Sequence, residues 1–195
     1  MCGEGGVDAD VMFIGIGPGR DEDRIGRPFV GPSGEWFDRI LSKVGLERDE
    51  VYVTNLVKCR PFTDGRNRDP SRKELNACRR WLDAEIELVK PKIVVLFGGL
   101  PLQELIGLQG IKKKRGQTFY TKETGHRLYF AMLHPAVLVR DEAATYGPYK
   151  SDVRELVRLI RRLMPWVERR KQRPKKTAVK RPLPRPLARS KSSTG

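Results

Sequence analysis

The chain has 195 residues, enough for one domain with its own core and too few for two of ordinary size. Its 39 basic residues outnumber 24 acidic ones for a net charge of +15, and no apolar run approaches the roughly 18 residues of a membrane-spanning helix. The N-terminus lacks a charged-then-apolar signal pattern and the three cysteines form no disulfide framework, which excludes a secreted disulfide scaffold and predicts a cytoplasmic protein.

Val11-Met12-Phe13-Ile14 shows no polar alternation and lies between acids and glycines, the pattern of a strand buried on both faces. The glycine-rich turn that follows lets backbone N–H groups approach a ligand, and Pro18 fixes one φ angle within it. Ser33 reads as the N-cap of a helix over 34–44, where Trp36, Phe37, Ile40, Leu41 and Val44 recur at helical spacing. Val51 to Thr54 reads as a second strand. Ser71-Arg72-Lys73-Glu74 has the form of a capping box and opens a helix that runs to Val89, ahead of Lys90-Pro91. Lys92 to Phe97 is a third buried strand, ended by Gly98-Gly99, and Leu100 to Leu108 a short helix. Thr118–Tyr120 and Arg127–Met132 are short strands around a Thr124-Gly125 turn. A last helix, Tyr149 to Leu163, puts Val153, Leu156, Val157, Ile160 and Leu163 on one face. Strands alternating with helices predict a mostly parallel sheet covered on both sides.

Residues 166–195 hold 11 basic side chains, one acid (Glu168) and four prolines, and so carry +10 of the total charge. A segment of that composition cannot bury enough apolar surface to offset its ordering entropy. The chain therefore divides into a folded domain over 1–165 and a disordered, basic, proline-rich tail over 166–195. The tail is a solubilising appendage, a polycation that holds the protein near nucleic acid, or, third, a proline-rich peptide ligand for a partner domain.

Two segments more than a hundred residues apart place polar groups where parallel strands end, the position at which open α/β sheets bind ligands. They are Gly15-Ile16-Gly17-Pro18-Gly19-Arg20-Asp21-Glu22 and His134-Pro135-Ala136. The first, continued through Gly26-Arg27-Pro28-Phe29-Val30-Gly31, is followed in order by Thr54-Asn55-Leu56-Val57-Lys58-Cys59-Arg60-Pro61, by Asn67-Arg68-Asp69-Pro70, and by His134-Pro135-Ala136 with Leu138 and Arg140. Together these resemble the motif regions of the iron–sulfur type, family four, of the uracil-DNA glycosylase superfamily, over about residues 3 to 163. The resemblance implies a three-layer α/β/α sandwich with a mostly parallel central sheet. It also implies a monomer, working at the nucleoid, that hydrolyses the bond between uracil and deoxyribose in single- or double-stranded DNA.

An enzyme acting on a base must first take it out of the stack. On this resemblance Phe29 stacks on the extruded ring, although a core role beside Pro28 and Val30 is the alternative. Asn55 reads the uracil edge with its amide, donating to one oxygen and accepting from the ring N–H, or else simply caps its strand. His134 donates to the uracil as it leaves with negative charge, helped by backbone N–H groups at Ile16 and Gly17. Glu22 either orients the attacking water and favours the sugar cation, or excludes the methyl of thymine. Ile16 stands where the family has Glu, and Gly17 lacks the water-activating group of other branches. Lys58, Arg60, Arg66, Asn67, Arg68 and the run Lys112-Lys113-Lys114-Arg115 are candidates for contact with DNA phosphates, and Leu138 with Arg140 resembles a minor-groove wedge.

Cys59 and Cys78 fall where the family has its second pair of cluster ligands, across a loop about three residues longer than usual. A [4Fe–4S] cluster needs four thiolates. The family's first pair is a C-x-x-C upstream of Gly3-Glu4-Gly5, which this sequence begins too late to include; Cys2 lies too near the first strand to replace it. A shortened start is the expectation, ahead of a lost cluster or ligands supplied by a partner, with two ordinary buried thiols as a further alternative. A second function class is a non-catalytic nucleic-acid binder on the same fold. A phosphate enzyme is disfavoured, because neither a P-loop Lys-Ser/Thr nor a full G-x-G-x-x-G is present.

Overall fold

The computed structural model describes residues 1–120 and 127–167. The expected Thr124-Gly125 turn and the tail beyond Val167 lie outside the described residues. In chain order the elements are β1 (Glu4–Gly5), β2 (Val11–Gly15), α1 (Arg20–Ile25), α2 (Pro32–Val44), β3 (Tyr52–Asn55), β4 (Phe62–Thr63), β5 (Arg66–Asn67), α3 (Arg72–Val89), β6 (Ile93–Phe97), α4 (Gly99–Ile106), α5 (Ile111–Lys114), β7 (Gln117–Tyr120), β8 (Leu128–Met132), α6 (Ala136–Arg140) and α7 (Glu142–Leu163).

The main sheet has the order β1-β3-β2-β6-β8-β7. Its four inner strands run parallel and both edge strands run antiparallel. Every residue of β2 and β6 is buried, as their unbroken apolar runs require of central parallel strands. The pleat sends alternate side chains to opposite faces. Val11, Phe13, Val95 and Phe97 pack with Phe37 and Ile40 of α2, Leu138 of α6, and Leu156 and Ile160 of α7. Met12, Ile14, Val94 and Leu96 pack with Leu82 and Ile86 of α3 and Leu102 of α4. This is the expected three-layer α/β/α sandwich. Val167 is buried in the first cluster, so the folded body extends past residue 165. Among the described residues no helix is long and apolar enough to cross a membrane.

Several expected boundaries shift for local reasons. Ser33 is not the cap of α2: Gly31 occupies that position without a side-chain bond, and Pro32 takes the first turn, where its missing N–H costs nothing. The last helix begins at Glu142, seven residues earlier than expected, because it absorbs Pro148, a residue that ordinarily ends a helix. Asp141 caps it, its Oδ1 accepting the Ala144 N–H at 3.0 Å. The hairpin of β4 and β5 turns on Asp64-Gly65, with φ of +50° and +73°. Asp-Gly is the composition of a tight hairpin turn and was the available signal for it.

Because β2 has β3 on one side and β6 on the other, the chain leaves β2 in one direction and returns past it in the other. That reversal opens a crevice at the C-terminal ends of the strands.

Candidate active site

A cleft of about 530 Å³ occupies this crevice. The turn after β2 brings Ile16, Gly17 and Gly19 to it, β3 ends in Asn55, β6 hands over to Gly98-Gly99, and β8 leads into Leu133-His134. Glu22 from α1, Phe29 from the loop before α2, and Asn67, Arg68 and Arg140 complete its wall. Close packing forces glycine at two points. A Cβ on Gly15 would lie 2.4 Å from Asn55 Oδ1 and 2.9 Å from Phe29 Cζ, and one on Gly34 would lie 2.0 Å from the Phe29 carbonyl oxygen.

Phe29 adopts a left-handed φ of +52°, uncommon for an aromatic residue. Arg48 holds it there, its Nη2 donating to the Phe29 carbonyl at 2.6 Å. The ring is 5.2 Å from Phe37 and 5.5 Å from Phe97 between centroids, and 5.9 Å from the His134 imidazole with the planes only 27° apart. It packs into the aromatic core and also forms a wall of the cleft.

His134 Nδ1 accepts the Ala136 N–H at 3.0 Å. A ring nitrogen that accepts carries no proton, so the neutral imidazole bears its hydrogen on Nε2. Burial, reinforced by the Arg140 charge, pushes the imidazole pKa down to about 4. At neutral pH His134 is an uncharged donor. Glu22 is 9% exposed, and its Oε1 accepts the Gly31 N–H at 3.0 Å. Asn55 is buried, and its main-chain carbonyl oxygen accepts from Lys58 Nζ at 3.0 Å.

Residues 2–158 match the uracil DNA glycosylase superfamily. The chain belongs to that family. Its relatives include a Type-4 uracil-DNA glycosylase of Sulfurisphaera tokodaii, 39% identical over 153 residues, which are 75% of this chain and 66% of that protein. Another, from Archaeoglobus fulgidus, is 34% identical over 170 residues, 84% of this chain and 83% of its own. A third, from Thermotoga maritima, is 36% identical over 145 residues, 73% of each chain. The chain thus spans just under two thirds of the first relative and over four fifths of the second.

Three of the expected DNA contacts need correction. Lys58 does not face a phosphate: its ammonium turns inward, 2.6 Å from Glu85 Oε2 and 2.7 Å from Thr54 Oγ1. Arg115 likewise turns inward, donating to Asp152 Oδ1 and, at 2.7 Å, to the Pro148 carbonyl. Leu138 is 2% exposed in the core, so it cannot be the wedge, whereas its neighbour Val139 is 48% exposed. In each case a solvent-facing role was assigned from sequence position, and the direction of the side chain was decided by packing.

The other basic candidates stay outside. Arg60 Nε donates to Asn67 Oδ1 at 2.7 Å, and its guanidinium lies 5.0 Å from the Phe62 ring. Arg68 grips both oxygens of Glu74 at 2.8 Å beside the cleft, and Arg66 and Arg140 are exposed. One residue that supports the site from behind was missed. Asp152 of α7 is fully buried, and its Oδ2 accepts the Leu133 N–H at 3.2 Å, which fixes the residue before His134. No local motif marks it, since it occupies an ordinary helical position.

Cys59 and Cys78 meet at one peptide. Cys78 Sγ accepts the Lys58 N–H at 3.3 Å, Cys59 follows Lys58, and the Met1 amine, beside Cys2, donates to the Lys58 carbonyl at 2.7 Å. Cys59 and Cys2 are exposed and Cys78 is half-buried. Among the described residues no group of three or more His, Cys, Asp or Glu side chains is placed to hold a metal ion. Three thiols without a fourth do not make a [4Fe–4S] site, which requires four thiolates.

Proposed function

We propose that the protein hydrolyses the N-glycosidic bond of uracil in DNA, single- or double-stranded, as an intracellular monomer at the nucleoid. The observation that carries this reading is the convergence of Phe29, Asn55 and a neutral His134 on one cleft.

A flipped nucleotide enters the cleft with its base against the Phe29 ring. Asn55 pairs with the uracil edge; cytosine leaves both amide groups mismatched, at a cost of about 1–3 kcal/mol for each unpaired buried group. As C1′–N1 breaks, its electron pair departs with the base. The His134 Nε2–H, together with backbone N–H groups at Ile16 and Gly17, stabilises that anion by hydrogen bonding, without proton transfer from a charged imidazole. Ile16 serves through its main chain, which Val57 N–H fixes by donating to the Ile16 carbonyl at 3.1 Å. Glu22, with Oε1 held by Gly31, offers Oε2 to orient the water that adds to C1′ and to favour the cationic sugar. Arg60, Arg66, Asn67, Arg68 and Arg140 contact the phosphates, and Val139 replaces Leu138 as the wedge. Cys59 and Cys78 are the two thiolates that would hold part of an iron–sulfur cluster, which needs four, and no step of the reaction depends on it.

The test is alkaline cleavage of a uracil-containing oligonucleotide after incubation with the protein. Strand breaks are expected with the native sequence, and a loss of about 10²-fold or more in His134→Ala. A His134→Ala protein that cleaves normally would refute the assignment, and binding without breaks in the native protein would leave a nucleic-acid binder.

A further inference from the structure

A second groove, of about 940 Å³, runs between α2 and α7 on the flank of the sandwich. We propose that it holds single-stranded DNA leaving the active cleft, an inference that rests on the glycosylase reading and extends its DNA contact to a face outside the crevice. Three observations carry it.

The first is charge. Arg39 and Lys43 of α2 face Lys150, Arg154, Arg158 and Arg161 of α7 across the groove, and Glu142 is the one acid among the lining residues. The cations repeat at three to four residues along each helix, one turn or about 5.4 Å apart, which makes two rows rather than scattered surface charge. Neither Lys43 nor Arg154 has an ion-pair partner among the described residues. Arg158 bonds Glu155 on its own helix.

The second is the aromatic mouth. Trp36 is half-buried and Tyr146 is 45% exposed, with ring centroids 6.3 Å apart. Arg39 lies 4.2 Å over the indole, and Lys150 lies 5.9 Å from the phenol ring. An exposed aromatic face beside cations is the combination that binds single strands without sequence preference, bases stacking while the phosphates follow the charge. An acidic peptide would use the charge but has no comparable need for the open ring.

The third is continuity. Ser33 lines the active cleft and Trp36, one turn further along α2, lines the groove; Arg140 lines the cleft and Glu142 the groove. A strand passing the rim meets the aromatic mouth first and the cation rows next. The groove is a furrow along two helices that pack directly on each other, and a single strand lying in it would have both rows of cations within reach of its phosphates.

The experiment uses the full chain and two single-stranded oligonucleotides with a central uracil, one of about five nucleotides and one with flanks of about ten on each side. Anisotropy titrations at several salt concentrations are run on the native protein, on Lys43→Gln/Arg154→Gln and on Tyr146→Ala, with the melting temperature as the check of folding. Arg154→Gln alone, an exposed position, serves if the double variant is unstable. For the long oligonucleotide the double variant is expected to lower the salt slope by about 1.4, and Tyr146→Ala to weaken binding about tenfold. Single-turnover uracil release from the short one stays unchanged. Equal losses on both lengths, or none on either, would overturn the proposal. So would a Glu-rich peptide that the native protein binds and the double variant does not, with DNA affinity unaltered, because the groove would then belong to a protein partner. Should the native protein release no uracil yet bind long flanks through the groove, the activity fails and the groove stands. Normal uracil release with flank binding indifferent to the groove is the reverse.

Discussion

Lys58 Nζ lies 2.6 Å from Glu85 Oε2, with the two side chains only 12% and 13% exposed, and the same ammonium donates to Thr54 Oγ1 and to the Asn55 carbonyl. The second Glu85 oxygen accepts the Gly3 N–H at 2.9 Å. One ion pair thus ties the N-terminal segment and α3 to the end of β3 at Asn55.

Lys58→Met is expected to destabilise the protein by about 3–5 kcal/mol, because it leaves the Glu85 carboxylate buried and unpaired. Lys58→Met/Glu85→Leu should recover most of that loss in urea denaturation. The double variant should still bind uracil more weakly than the native protein, since the main-chain carbonyl of Asn55 then loses the Lys58 ammonium. Full recovery of substrate KM together with stability would limit the pair to a structural part.

The His134 pKa of about 4 gives a signed pH dependence. The unfolded chain takes up this proton near pH 6.5, while the folded chain resists until about pH 4. Between those values the unfolded state binds more protons, so the contribution is complete above pH 6.5 and is lost as pH falls towards 4, on the order of 3 kcal/mol in all. Denaturant titrations should show a constant difference between the native protein and His134→Gln above pH 6.5, and a loss of about 3 kcal/mol by the native protein relative to the variant as pH falls to 4. Activity should hold down to about pH 5 and fall below it, as the protonated Nδ1 ceases to accept from Ala136.

Asp152 joins Arg115 of the preceding segment to the amide of Leu133. Asp152→Ala is expected to cost about 3 kcal/mol of stability and to lower kcat more than KM, by freeing the peptide that carries His134. Native-like kcat in a folded Asp152→Ala protein would separate the carboxylate from the site.

Leu138 and Val139 are neighbours with opposite fates. Leu138→Ala should lose about 2–5 kcal/mol on melting and leave cleavage of single-stranded substrate intact in the folded fraction. Val139→Ala should change stability by no more than about 0.5 kcal/mol and slow cleavage of duplex more than of single strands. The opposite pattern would restore Leu138 as the wedge.

Glu22→Ala should slow uracil release without creating activity on thymine. Gained thymine cleavage at an undiminished uracil rate would assign Glu22 to steric exclusion.

The sequence by itself determined what depends on neighbours along the chain. The buried strands at Val11–Ile14 and Ile93–Phe97 follow from unbroken apolar runs. The capping box at Ser71 closes as its spacing requires, Ser71 Oγ accepting the Glu74 N–H while Glu74 Oε2 accepts the Ser71 N–H. The strand-end motifs placed Ile16, Asn55 and His134 at one edge of the sheet, because parallel strands share that edge. Only the tertiary structure decided where each charge and each apolar side chain points. Lys58 finds Glu85 27 residues away and Arg115 finds Asp152 37 residues away, and no local pattern encodes a partner at that distance. Likewise the turn of α6 that buries Leu138 and exposes Val139 is fixed by packing against α2 and α7, not by the motif that contains both.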